Sequence, residues 1–100
     1  MKGLKAEDRV AASLRRSGAK VEQSIGSRTS ADNVARWPNG KKWFTQVKYS
    51  GKGNPSSPTP NERRALIRRA ENNNATPVIA KVTTEKIEYF SAKDGRKLNP

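Results

Sequence analysis

Residues 31–49, ADNVARWPNGKKWFTQVKY, decide the fold that we expect for this chain. The dipeptide Asn39-Gly40 is typical of a tight turn between two antiparallel strands. The residues on either side of it are rich in aromatic and β-favouring types, so we predict strands over 31–37 and 43–49. In such a hairpin, Asp32 near the start of the first strand lies at the same end as the last residues of the second strand.

That end of the second strand carries Gln46-Val47-Lys48. Side chains alternate faces along a strand, so Gln46 and Lys48 point the same way. An oxygen donor for a divalent metal then stands beside an ammonium that can meet an attacking water or a phosphate. With the carboxylate of Asp32, this segment has the skeleton of a metal-dependent nuclease site. Taken alone, Asp32 could instead brace a loop, and Lys48 could be an exposed strand lysine.

A helix is predicted over residues 3–17, and Gly18 is placed to end it. Its apolar residues fall near one face: Leu4, Val10, Ala11 and Leu14. Glu7 lies on this apolar face, where an ionised carboxylate is costly unless it is paired or bound to a metal. It therefore supplies a second candidate carboxylate, although a glutamate at the border of the face could also reach solvent or an arginine.

A second helix is predicted to begin at the capping box Thr59-Pro60-Asn61-Glu62 and to run to about residue 71, with Ala65, Leu66 and Ala70 buried. The remaining predicted strands are 19–24, 76–82 and 86–90, and loops are expected at 26–30, 50–58 and 83–85. The tail from Ala92 is polar and is expected to be irregular. The elements follow the order αβββαββ, an α/β arrangement, and we expect one domain over residues 1–100.

The 21 basic and 9 acidic residues give a net charge of +12, which favours a polyanionic partner, chiefly nucleic acid. From this charge, the candidates for phosphate contacts are Lys2, Lys5, Arg28, Lys41, Lys42 and Lys52. Any of them could equally be a plain solvated charge. Four arginines on the second helix, at positions 63, 64, 68 and 69, could hold DNA or a partner subunit. Trp37, Trp43 and Tyr89 are expected in the core or in a dimer interface.

The chain has no cysteine and no histidine. Disulfides, thiolate zinc sites, imidazole metal sites and Ser-His catalysis are therefore excluded. A bound metal must be a hard cation held by oxygens, which points to Mg²⁺ or Mn²⁺. Residues 1–5 lack the apolar core of a signal peptide, and no apolar stretch could cross a bilayer. We therefore expect a cytoplasmic, nucleoid-associated protein.

An ordered set of segments resembles the archaeal-type Holliday junction resolvases, within the restriction-endonuclease-like PD-(D/E)xK nucleases. Residues 2–7, KGLKAE, are similar to the opening KGxxAE of that family, and residues 24–27, SIGS, to its SxGS loop. Asp32 and residues 46–48 match its metal and lysine positions. Residues 77–82, PVIAKV, look like its later PVLAVKF strand. The resemblance implies a small restriction-endonuclease-like domain with a central mixed five-stranded sheet flanked by two helices.

The resemblance also implies a function: a metal-dependent endonuclease that works as a homodimer on branched DNA in recombination and repair. Glu7 and Asp32 match the metal-binding carboxylates, and Lys48 matches the catalytic lysine. The backbone carbonyl of Val47 would join the coordination shell. Ser27 and Arg28 stand where the family's loop approaches the scissile phosphate.

The chain departs from the family pattern at two positions. Gln46 replaces the usual glutamate, which removes one negative charge from the site, and the QxK form is also seen in Mrr-like restriction nucleases. Asp8 replaces the arginine that follows the first glutamate, with Arg9 one place later. Two alternatives therefore stay open: an Mrr-like or repair endonuclease acting on duplex or flapped DNA, and a non-catalytic nucleic-acid-binding module with a decayed site.

Overall fold

A mixed sheet with one helix on each face forms the protein, in a computed structural model that describes residues 5–23, 31–51, 55 and 57–100. The helices are α1 (Ala6–Arg16) and α2 (Pro60–Asn72). The strands are β1 (Lys20–Gln23), β2 (Asn33–Arg36), β3 (Lys42–Tyr49), β4 (Thr76–Val82), β5 (Ile87–Ser91) and β6 (Lys97–Leu98). They lie in the order β1-β2-β3-β4-β5-β6, and β3 and β4 are the parallel pair among antiparallel neighbours.

The predicted hairpin is confirmed, with Val34 opposite Phe44 and Ala35 opposite Trp43. Its turn is closed by the backbone N–H of Gly40, which donates to the carbonyl of Trp37 at 3.0 Å. Gly40 has a φ of 94°, a conformation that a residue with a Cβ rarely adopts. The Asn-Gly dipeptide therefore sets the register that brings residue 32 to the end of β3.

Helix α2 connects the two parallel strands, because a parallel pair needs a crossover and cannot be joined by a tight turn. The predicted capping box is present: Thr59 accepts the backbone N–H of Glu62 at 3.1 Å, and the Glu62 carboxylate accepts that of Thr59 at 2.9 Å. Pro60 occupies the first helical turn, where its missing N–H costs no hydrogen bond. As in other crossovers, α2 starts beside the carboxyl end of the strand that it follows.

The two helices cover opposite faces of the sheet. Val10 and Leu14 of α1 belong to a buried cluster that includes Trp37, Trp43 and Tyr89, so the prediction that these aromatic residues lie in the core is confirmed. Leu66 of α2 belongs to a second buried cluster, which also contains Phe44 of β3 and Ile79 of β4. Side chains at even positions of β3 therefore face α2, and those at odd positions face α1.

The structure corrects two expectations about the elements. The sheet has six strands where five were predicted, because part of the tail pairs with β5 as β6. Residues 92–95 form the turn between them, with Gly95 at a φ of 75°. A two-residue strand is too short to show alternation in the sequence. Ala65, predicted to be buried, is exposed, because Leu66 and Ala70 form the face of α2 that meets the sheet.

Within the described ranges, neither helix is long and apolar enough to cross a membrane.

Candidate active site

Asp32 lies immediately before β2 and is held against the end of β3 by two hydrogen bonds. Its backbone N–H donates to the Thr45 carbonyl at 2.8 Å, and its Oδ2 accepts the backbone N–H of Val47 at 2.7 Å. Asn33 pairs with Thr45, so Asp32 stands just beyond the last residue pair of the β2–β3 ladder, and its two hydrogen bonds reach Thr45 and Val47 of β3. The structure therefore brings the carboxylate of Asp32 to the segment 46–48.

Gln46 has an oxygen that is ready to accept a ligand. Its Oε1 is buried and has no hydrogen-bond partner among the described residues. A buried acceptor without a partner costs free energy, so a ligand at this oxygen would be favourable. The side chains of Asn33 and Thr45 also carry buried polar atoms without a partner in the described part of the chain. Gln46 lies on the α2 face of the sheet, on the same side as Lys48.

The backbone carbonyl of Val47 adds a third oxygen to this group of candidate metal ligands. The N–H and C=O of a strand residue point to the same side of the strand, so the Val47 carbonyl is directed to the side on which Asp32 lies. A carboxylate, an amide oxygen and a backbone carbonyl are the ligand types that hard divalent cations prefer. The donor set at Asp32, Gln46 and Val47 thus fits Mg²⁺ or Mn²⁺.

Lys48 lies on β3 and forms an ion pair with a residue of α2. Its ammonium Nζ lies 3.2 Å from Oε1 of Glu62, in the first turn of α2, and the side chains are 21% and 42% exposed. The backbone hydrogen bond from Thr59, together with the ammonium of Lys48, holds the pKa of Glu62 below its ordinary value of 4.5. Glu62 therefore stays ionised beside Lys48 at neutral pH.

Sequence reasoning identified Glu62 as a helix cap and missed its pairing with Lys48. A signal for the pairing was present: a crossover helix begins near the carboxyl end of the strand before it, so the first turn of α2 had to approach the end of β3.

Glu7 is placed differently from the prediction. It is exposed, which corrects the expectation that it lies on a buried face of α1. It lines a shallow pocket with Lys5 and the side chain of Val47, on the face of the sheet that α1 covers. No hydrogen bond joins Glu7 to Asp32 in the described part of the chain, and no group of three or more acidic side chains suited to a metal occurs there.

The residues that depart from the family pattern make contacts of their own. Asp8 accepts a hydrogen bond from the Gln23 side chain at 3.0 Å. Arg9 donates to the carbonyl of Thr83 at 2.7 Å, which fixes α1 to the turn after β4. The guanidinium of Arg9 thus makes a hydrogen bond within the chain.

The structure describes three of the residues that we predict to contact DNA. Lys5 is exposed beside Glu7. Lys41 lies over the Trp37 ring at 4.3 Å, and Lys42 donates to the Asn73 carbonyl at 3.0 Å. Four other predicted contacts lie outside the described residues: Lys2, Ser27, Arg28 and Lys52.

The arginines of α2 are all exposed, as predicted. Arg63 nevertheless binds back to the sheet, with its Nε donating to the Ala92 carbonyl at 2.7 Å. Arg69 lies over the Phe44 ring at 5.8 Å, and Arg64 donates to the side chain of Asn61. Three of the four arginines thus make contacts within the chain, and all four remain exposed to solvent.

Comparison with solved structures identifies the fold. The chain superposes on Hjc, a Holliday junction resolvase from the archaeon Archaeoglobus fulgidus, with a TM-score of 0.78 and 18% sequence identity. The match covers 91% of this chain and 78% of the resolvase chain. No protein-family model matches the sequence, and no curated protein does. The predicted likeness in fold to the archaeal resolvases is therefore confirmed.

Proposed function

We propose that this chain is a divalent-metal-dependent DNA endonuclease that nicks branched DNA as a homodimer. The observation that carries the proposal is the group at the end of β3: Asp32 Oδ2 accepts the backbone N–H of Val47, and Oε1 of the preceding residue, Gln46, is buried without a hydrogen-bond partner among the described residues. Lys48 projects from the same face as Gln46. The group lies in a fold that a Holliday junction resolvase shares.

The chain's own residues supply most of what phosphodiester cleavage requires. Asp32, Gln46 and the Val47 carbonyl would hold the metal, which when bound lowers the pKa of water and draws charge from a phosphate. Lys48 provides a fixed positive charge that can orient the nucleophile or stabilise the negative charge that builds up on phosphorus. Glu7 lies on the other face of the sheet, so we assign it a contact through water rather than a direct one.

The net charge of +12 supports a DNA substrate, because such a field attracts and holds the phosphate backbone. Phosphate contacts position a protein on DNA without reading bases, which suits an enzyme selective for shape. Branched DNA, recombination and a place at the nucleoid belong to this proposal, as does the dimer. A symmetric pair of sites would cut two strands of a junction.

Gln46 favours a second candidate, an Mrr-like or repair endonuclease acting on duplex or flapped DNA. A neutral amide ligates a metal less strongly than a carboxylate, and the QxK form is shared with the Mrr-like nucleases. The same neutral side chain also keeps a third candidate open, a DNA-binding module in which cleavage has been lost.

One experiment separates the three candidates. Labelled four-way junction and linear duplex of the same sequence are incubated with the protein in Mg²⁺, in Mn²⁺ and in chelator. We expect metal-dependent nicking of the junction alone. Nicking of the duplex would support the second candidate, and salt-sensitive binding without nicking in either metal would support the third and overturn the proposal.

A further inference from the structure

One carboxylate oxygen of Glu62 makes two contacts, one with the backbone of its own helix cap and one with a side chain of β3. This oxygen, Oε1, accepts the backbone N–H of Thr59 at 2.9 Å and lies 3.2 Å from the ammonium of Lys48. The first contact belongs to the capping box of α2, and the second reaches across to β3. The start of the crossover helix is thereby joined to the lysine of the candidate site.

Lys48 has few other sources of negative charge. Gln46, two residues earlier on the same face, is neutral, and the Asp32 carboxylate accepts the Val47 N–H. Across the parallel pair, Lys48 stands beside Lys81, a like charge, whose ammonium lies over the Phe90 ring. Within the described part of the chain, the carboxylate of Glu62 is the ion-pair partner of Lys48.

A capping role alone does not require this carboxylate. The capping box accepts glutamine as well as glutamate at its third helical position, because either side chain can accept the backbone N–H of the cap residue. The pair is also partly exposed, and such pairs contribute little to stability. The charge on Glu62 thus has a consequence chiefly for the ammonium that it faces.

We propose that Glu62 is the positioning residue of Lys48, supplying from α2 the negative charge that Gln46 does not provide on β3. It holds the ammonium on the α2 face of the site and keeps it from turning toward solvent. This inference rests on the proposed nuclease function for its catalytic consequence, but the pairing itself can be tested without cleavage.

The first test uses the metal-free protein. Proton–nitrogen spectra of lysine ammonium groups detect those held in ion pairs, and the signal of Lys48 is assigned by its loss in Lys48→Arg. We expect Glu62→Gln to shift or broaden this signal while the circular dichroism of the helices is retained. The matched control is Glu71→Gln, which removes a charge from the same helix where Glu71 pairs with Lys93, and it should leave the Lys48 signal unchanged.

The second test measures metal-dependent nicking of a four-way junction. We expect Glu62→Gln to lower kcat by on the order of a hundredfold with little change in KM, because a misplaced catalytic group affects the chemical step. Adding Gln46→Glu to this variant should recover most of the lost kcat by returning a carboxylate to the neighbourhood of Lys48. Glu71→Gln should nick at the wild-type rate.

The outcomes separate the pairing from the function. An unchanged Lys48 signal in Glu62→Gln, or wild-type kcat in that variant, overturns the inference. Failure of the Gln46→Glu rescue also counts against it, because a merely structural loss would not respond to a charge on β3. A wild-type protein that nicks no substrate overturns the proposed function and the catalytic part of this inference, whereas the spectra still decide the pairing.

Discussion

Gln46 contributes a neutral amide to the candidate site at a position where a carboxylate would add negative charge. Its amide oxygen is buried without a described partner, so it can ligate a cation but adds no charge. We predict that Gln46→Glu tightens Mg²⁺ binding by roughly tenfold, because ligand charge raises the affinity of oxygen sites for hard cations. Calorimetric titration of the DNA-free protein measures this.

The control for that titration is Asn99→Asp, which adds the same charge at an exposed position near the end of the chain. It should leave the affinity unchanged. Equal or weaker Mg²⁺ binding by Gln46→Glu would show that residue 46 is not a ligand.

At the residue scale, much of the site could be predicted from the sequence. Strand alternation and the Asn-Gly turn were sufficient to bring Asp32 to residues 46–48. The ion pair of Glu62 with Lys48 follows from neither of these patterns; its signal is the rule that a crossover helix begins near the carboxyl end of the strand before it. The burial of Glu7 was predicted wrongly, because helical periodicity defines the face of a residue but not how far the sheet extends beneath it.

At the scale of elements, the two helices depend on the apolar side chains that face the sheet. Leu14 of α1 has 0% of its surface exposed and packs in the cluster that contains Trp37 and Trp43. We predict that Leu14→Ala lowers the free energy of unfolding by about 2–5 kcal/mol, since the cavity adds to the lost transfer energy. Urea unfolding measures the change.

Arg68→Ala is the matched control, because Arg68 is exposed on α2. We expect it to change the stability by less than about 0.5 kcal/mol. A loss of stability in Leu14→Ala as small as that in the control would contradict the packing of α1 described here.

The start of α2 should respond to acid. The pKa of Glu62 is lowered in the folded protein, so its carboxylate stabilises the fold above its ordinary value of 4.5, and this contribution is lost as the pH falls through the lowered value. We predict that the wild type loses more stability than Glu62→Gln on acidification across this range. Denaturant unfolding at a series of pH values tests it.

Two other carboxylates have lowered pKa values: Glu88, because of the Lys97 ammonium, and Asp94, because of the Arg96 backbone N–H. Both are present in the wild type and in Glu62→Gln, so their contributions cancel when the two proteins are compared. Parallel stability curves for the wild type and Glu62→Gln would contradict the assigned contacts of Glu62.

The elements themselves were largely predictable. The strand at residues 76–82 was predicted with the bounds that it has, and the capping box located the start of α2. β6 was missed because its pairing with β5, rather than any pattern of its own, makes it a strand. Short edge strands of this kind are decided by tertiary contacts.

For the molecule as a whole, the charge of +12 should dominate DNA binding. We predict that affinity for a junction falls by about a thousandfold or more between about 50 and 200 mM salt, as expected for a protein that releases several counterions. Fluorescence anisotropy in chelator measures binding without cleavage. Lys5→Gln should lower the slope of log affinity against log salt by about one, if Lys5 contacts a phosphate.

Lys86→Gln is the control, because the ammonium of Lys86 already pairs with the carboxylate of Glu88 on β5 at 3.5 Å. It should leave the slope nearly unchanged. An affinity that does not depend on salt would contradict the electrostatic account of DNA binding. The single domain over residues 1–100 and the homodimer stay predictions, because sequence patterns within one chain do not specify how two copies meet.

The most direct test of the proposed nuclease site compares Asp32→Ala and Lys48→Ala with the wild type. It measures metal-dependent nicking of a labelled four-way junction, with binding measured on the same samples. Asp94→Ala, which removes a carboxylate at the β5–β6 turn, serves as the control. We expect both site variants to lose at least about a hundredfold in nicking rate while binding stays close to wild type. Cutting at the wild-type rate by both variants would contradict the assignment of this site.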